Sequence, residues 1–144
     1  MTTLREIEVN LPNGFHDALL EEVTVSLVSK SVSMAMQIWV GDLDSEAEEE
    51  REAYKKATVR LNGIVYIVLD PPGADQEFSR WSAARIDGGE VTSDPASVSP
   101  KPRCVLPVGA FAYWFFVEPW NSFIHVAALS ASIEWEGLGL TDPK

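Results

Sequence analysis

The chain has 144 residues, 46% of them hydrophobic and 23% charged, and carries a net charge of −11 at pH 7. That size and apolar content suit one domain, spanning residues 1–144, with a core of its own, and they exclude a disordered or low-complexity chain. An acidic surface with no compensating stripe of lysine or arginine repels phosphate, which excludes nucleic acid and anionic membranes as direct partners.

The segment Met1 to Glu8 has neither the apolar run of a secretory signal nor the basic, acid-poor character of a transit peptide. Cys104 is the sole cysteine, so no intramolecular disulfide forms, and the expected location is the cytoplasm. The longest aromatic-apolar stretch, Ala110 to Val117, is far short of the roughly 20 residues of a membrane helix.

Along the chain, Leu11-Pro12-Asn13-Gly14-Phe15-His16-Asp17-Ala18 reads as a turn that feeds a strand and sets a histidine beside a carboxylate. From Leu20 the pattern has period two, with Val23, Val25 and Leu27 on one face. After Ser29-Lys30-Ser31, Val32, Met34, Met36, Ile38 and Val40 alternate with Ser33, Ala35, Gln37 and Trp39. These two runs predict a hairpin.

Asp42 to Glu52 then holds seven carboxylates against Arg51 alone, more than half of the net charge. Ser45 with Glu48 fits a capping box, so a short helix is expected there, with Glu52 placed to pair with Lys56. Such a run is first of all a solvated connector and second a docking patch for a basic protein. Calcium fits poorly: Asp42, Asp44 and Glu46 alternate like loop ligands, but Ala47 stands where the loop glycine belongs and Ala53 where the final glutamate belongs.

Ala57 to Leu61 and Ile64 to Leu69 predict strand, with Gly63 as a bulge or tight turn between them and Asp70-Pro71-Pro72-Gly73 as the stop. A turn or two of helix is expected over Gln76 to Ala84. Asp87-Gly88-Gly89-Glu90 reads as a turn before a short strand near Val91, and Ser93 to Pro107, broken by four prolines, reads as a surface loop. Gly109 to Glu118 and Ser122 to Glu136 predict two aromatic-rich strands, the second bent near Ser130, joined tightly through Glu118-Pro119-Trp120-Asn121.

The late strands are apolar on both faces. Phe111, Tyr113, Phe115 and Val117 point one way, Ala112, Trp114 and Phe116 the other, so the outer set needs a cover from the Pro-rich loop, a short helix or a second copy of the chain in a homodimer. The fold class is mainly β, with α+β as the variant: an antiparallel β-sandwich or barrel-like sheet with one or two short helices.

No complete catalytic, metal or nucleotide motif is present. His16 is the side chain best suited to general-base work, with Asp17 or Glu21 as its carboxylate, but neighbours in an extended segment point apart, so a structural role for His16 and Asp17 comes first. His125 reads as a satisfied core or interface histidine. Two separated histidines and one cysteine give no metal-ligand spacing, and Cys104 precedes no helix that would activate its thiol. No cofactor is expected. The binding candidates are Asp42, Asp44, Glu46, Glu48 and Glu49 in the acidic run, with Trp114, Phe116 and Trp120 among the aromatics.

Gly14-Phe15-His16-Asp17-Ala18 ahead of a hairpin resembles the Phe-His-Asp-Ala opening of small bacterial domains that include families grouped with polymorphic-toxin immunity proteins. The segment Trp120 to Val126 has a similar character. The resemblance implies a non-enzymatic intracellular protein that binds a partner, with the acidic patch as contact, and carries over no binding residue. Beside this protein-interaction reading stand two others: a β-barrel that holds a small apolar ligand, and a hydrolase built on His16.

Overall fold

A computed structural model describes residues 2–73, 83–91 and 100–137. Helix α1 (Leu4–Asn10) is followed by β1 (Ala18–Ser26), β2 (Ser31–Trp39), a single turn α2 (Glu48–Arg51), β3 (Tyr54–Leu69), β4 (Ala84–Glu90), β5 (Phe111–Val117), a 3-10 turn over Glu118–Trp120, and β6 (Ser122–Trp135). The strands close into one antiparallel barrel in the order β1-β2-β3-β6-β5-β4. There is therefore a single sheet, and of the two expected architectures the barrel holds and the sandwich does not.

Period-two patterning explains the lining. Val32, Met34, Met36 and Ile38 of β2 are fully buried, as are Val59 and Leu61 of β3, Ile124 and Val126 of β6, and Tyr113, Phe115 and Val117 of β5. Phe15, from the turn before β1, enters the same interior and meets Tyr113 and Phe115 edge-on, with ring centroids 6.1 and 5.6 Å apart. Each such pair contributes about 0.5–1.5 kcal/mol beyond its buried area. These side chains line the interior and form the hydrophobic core.

Helix α1 is an element the sequence reading left out. Thr3 caps it by accepting from the Glu6 backbone amide, and Leu4 and Ile7 are buried against the barrel. Glu8, paired with Arg5 at 2.7 Å, accepts a short hydrogen bond from the Tyr113 hydroxyl, which ties the helix to β5. Burial, together with that carboxylate, raises the Tyr113 phenol well above its ordinary pKa.

Gly88 and Gly89 lie inside β4 and form no turn. A Cβ on Gly88 would stand 2.8 Å from the Tyr113 hydroxyl oxygen, and one on Gly89 would stand 2.2 Å from Trp114 Cζ2. The paired glycines are seats for two large rings, one inside the barrel and one outside. Gly63 does mark an irregularity: its φ is +66°, and the β3–β6 register shifts between Ile64 and Tyr66. β3 runs on through it as one strand.

The acidic connector forms a shorter helix than expected. It starts at Glu48 with Ala47 as N-cap and no side-chain cap, because Ser45 donates its hydroxyl to Glu50 and accepts from the Ala47 amide. Lys56, the expected partner of Glu52, lies in β3 opposite Gln37. The helix expected from Gln76 falls outside the described residues up to position 82, and Ala84 opens β4. Among the described residues no helix is long and apolar enough to cross a membrane.

Candidate functional site at the helix-plugged rim

The antiparallel registers bring the start of β1, the end of β2, the start of β3 and the last part of β4 to one rim of the barrel, the end that α1 plugs. Trp39 pairs with Tyr54 across β2 and β3, and the acidic connector joins these two strands, so it hangs from the same rim.

The turn from Leu11 to Asp17 is fixed there by local bonds. The Asn13 side-chain amide donates to the carbonyls of Trp39 and Gly41, the His16 amide to Asn13, the Ala18 amide to Phe15, and the Tyr54 hydroxyl to the Asp17 carbonyl. Asp17 has a φ of +57°. That left-handed step removes the geometry in which neighbouring side chains diverge, and His16 Nε2 stands 3.4 Å from Asp17 Oδ2. Sequence reasoning had the two pointing apart. The same ring presents Nδ1 at 2.6 Å to Oδ1 of Asp87, in β4. A carboxylate only accepts, so the ring nitrogen carries the proton in that bond.

The bond to Asp87 raises the His16 pKa above 6.5; burial opposes it, the negative charges of Asp87 and Asp17 reinforce it, and Arg85 works against it. Arg85 Nε lies 3.9 Å from Asp17 Oδ1. One suitable atom from each of His16, Asp17 and Asp87 falls within 4.8 Å of the other two. Glu21 stays apart: its carboxylate accepts from Gln37, and it does not join His16.

Beside this cluster an open cleft of about 510 Å³ is lined by Asp17, Trp39, Leu43, Arg51, Glu52, Tyr54 and Arg85. Trp39 is held in place by donating its indole N–H to the Arg51 carbonyl at 2.6 Å, and Arg51 in turn ties down the connector by donating to the carbonyls of Ser45 and Glu46. Asp42, Asp44, Glu46, Glu48 and Glu49 are all exposed along the connector and none lines the cleft, while Leu43, next to Asp42 and Asp44 in sequence, does and is 65% exposed.

The aromatic candidates lie elsewhere. Trp114 and Phe116 are half-buried on the outer face of β5, each edge-on to Phe123, at 5.7 and 5.2 Å. Trp120, in the 3-10 turn, packs against the core. On the same outer face His125 is buried, with Nε2 at 2.7 Å from both Asp70 Oδ2 and Arg103 Nη2. Arg103, from the Pro-rich loop, reaches His125 and Asp70 on this side of the sheet; the loop's residues 93–99 lie outside the described part. Cys104 is exposed.

The His16–Asp87 pairing has no local signal, because 71 residues separate the partners. The pairing of Asp17 with His16 had one, the glycine-containing turn just before it. No family model, curated protein or solved structure matches this chain.

Proposed function

We propose that the protein is a non-enzymatic interaction domain that docks a basic partner protein on the rim formed by the acidic connector and the adjoining cleft. The observation that carries this reading is the placement of Leu43. An exposed apolar side chain shares a cleft with Trp39 and Tyr54 and belongs to the exposed acidic run from Asp42 to Glu49, an apolar anchor within a charged segment; Asp17, Glu52, Arg51 and Arg85 complete the cleft lining.

The barrel is compatible with it: Met34, Ile38, Tyr113 and Phe115 are buried in the core, so the contact surface is the exposed rim. The hydrolase reading would need a His16 ring nitrogen free to take a proton from water, and the ring nitrogens face the carboxylates of Asp87 and Asp17, while Glu21 pairs with Gln37. Within the leading reading, an immunity-like role would make the basic partner a toxin domain, and a toxin-like reading frame beside this gene would favour it.

Selection of displayed peptides on the purified protein tests the proposal. The enriched sequences should combine lysine or arginine with an apolar residue, and their affinity should fall as salt rises. Leu43→Ser, and separately Glu48→Gln with Glu49→Gln, should weaken them without changing thermal stability. Binders indifferent to these substitutions would set the proposal aside, as would the absence of any binder.

A further inference from the structure

Three acid-rich places in the molecule invite comparison as ion sites. In the connector, Asp42 Oδ1 is taken by the Asp44 backbone amide, and the remaining acids are exposed carboxylates with no nitrogen ligand among them. At His125, one carboxylate is balanced by one guanidinium, both crowd the same ring nitrogen, and the side chain is only 7% exposed, so an ion has neither charge to neutralise nor room. The rim cluster differs on each count. It joins an imidazole to two carboxylates, has Arg85 as its counter-charge at 3.9 Å, and opens onto solvent.

We propose that His16, Asp17 and Asp87 form a binding site for a divalent transition-metal ion of the zinc type. The donor set is one nitrogen and two oxygens. Imidazole suits zinc and its neighbours, whereas magnesium and calcium take oxygen ligands. Ligands about 2.0–2.2 Å from such an ion stand roughly 3–4 Å from one another. The three groups already have one atom each within 4.8 Å of the others, so closing on an ion needs side-chain adjustment of ångström scale.

The framework that carries them is rigid where it matters. Asp17 is fixed by the bonded turn and by Tyr54 on its carbonyl, and Asp87 by pairing of β4 with β5. On taking the ion the ring gives up one of its two carboxylate contacts, and the proton that now bridges ring and carboxylate leaves to solvent. Three protein ligands leave at least one coordination position open, the arrangement of sites that accept an outside ligand.

The test uses the full chain after chelator treatment and dialysis. Cobalt(II) serves as the visible probe and zinc as its competitor. One cobalt ion per chain should bind saturably, with a visible absorption band that zinc abolishes. His16→Gln and Asp87→Asn should each weaken binding by about ten-fold or more. His125→Gln and Cys104→Ser should not.

Because His16 and Asp87 are solvent-facing, both ligand variants should fold, which circular dichroism verifies. If one does not, paramagnetic broadening by cobalt in the wild-type protein decides, since it must centre on residues 16, 17 and 87. Absence of saturable binding, binding indifferent to His16→Gln and Asp87→Asn, or broadening centred on Cys104 or His125 would overturn the site. Peptide docking at Leu43 needs no ion, so either proposal can fail alone.

Discussion

The molecule uses histidine and aspartate twice, at places where the same chemistry has opposite consequences. At the α1-plugged rim, His16 is 61% exposed in its side chain and lies between two carboxylates, Asp17 of the turn before β1 and Asp87 of β4; on the outer face of the sheet, His125 is 7% exposed and shares one nitrogen between Asp70 and Arg103. Ion pairs left in water are screened and contribute little to stability, whereas a buried polar group that loses its partner costs its full desolvation. The buried His125 ring therefore belongs to the architecture, held by the part-exposed Asp70 and Arg103, and the exposed His16 ring is free to change partners. β4 connects them, with Asp87 serving one cluster and Gly89 seating the Trp114 ring beside the other.

Breaking the architecture around His125 should produce the largest effects. Gly89→Ala drives a methyl into the Trp114 ring and should cost about 3 kcal/mol in chemical denaturation, with β4 displaced. His125→Ala should follow at about 2–3 kcal/mol, because Asp70 and Arg103 lose their shared partner and a hole opens beside Phe123. If either proves as mild as a surface change, the contrast between the two clusters collapses.

Tyr113→Phe sits between the extremes, at about 1–2 kcal/mol near neutral pH, since Glu8 keeps Arg5. Its pH signature is more telling. The Tyr113 pKa is raised in the folded chain, so its stabilisation is complete below the ordinary value of 10.0 and is lost as pH rises beyond it, when the unfolded chain ionises first. Unfolding midpoints measured across the alkaline range should fall less steeply for the Phe variant than for wild type.

The smallest effect on stability is expected at His16, where alanine should cost less than about 1 kcal/mol. The sharper measurement there is the ring titration by NMR in metal-free buffer. Its raised pKa means that stabilisation is present in full below 6.5 and disappears as pH climbs through the folded value. Asp87→Asn removes the principal cause, so the midpoint should move down toward 6.5. A midpoint unchanged by that substitution would show that the bond to Asp87 does not govern the ring.

Much of the barrel was legible along the chain because its cause is local. Alternation in Val32 to Val40 gives β2, a polar turn at Ser29 to Ser31 closes the hairpin, and Gly63 announces its own irregularity. Helix α1 is equally local in origin, with Thr3 and Glu6 flanking its first turn and Leu4, Ile7 and Leu11 on one face, but at seven residues its period is too short to stand out. The glycines of β4 misled for a different reason. Their smallness serves Tyr113 and Trp114 from the neighbouring strand, and nothing in residues 87–90 distinguishes a seat from a turn.

Sequence alone therefore determined the pleated character, the faces of the strands and the acidic connector, since each depends on residues a few positions apart. Tertiary structure decided that the sheet closes, through a β1–β4 seam of only three residue pairs, and that Asp87 comes to His16 and Arg103 to His125. Those outcomes depend on which distant strands meet and in what register. That follows from the balance of burying both faces of the late strands against closing long loops, a property of the whole chain and of no segment within it.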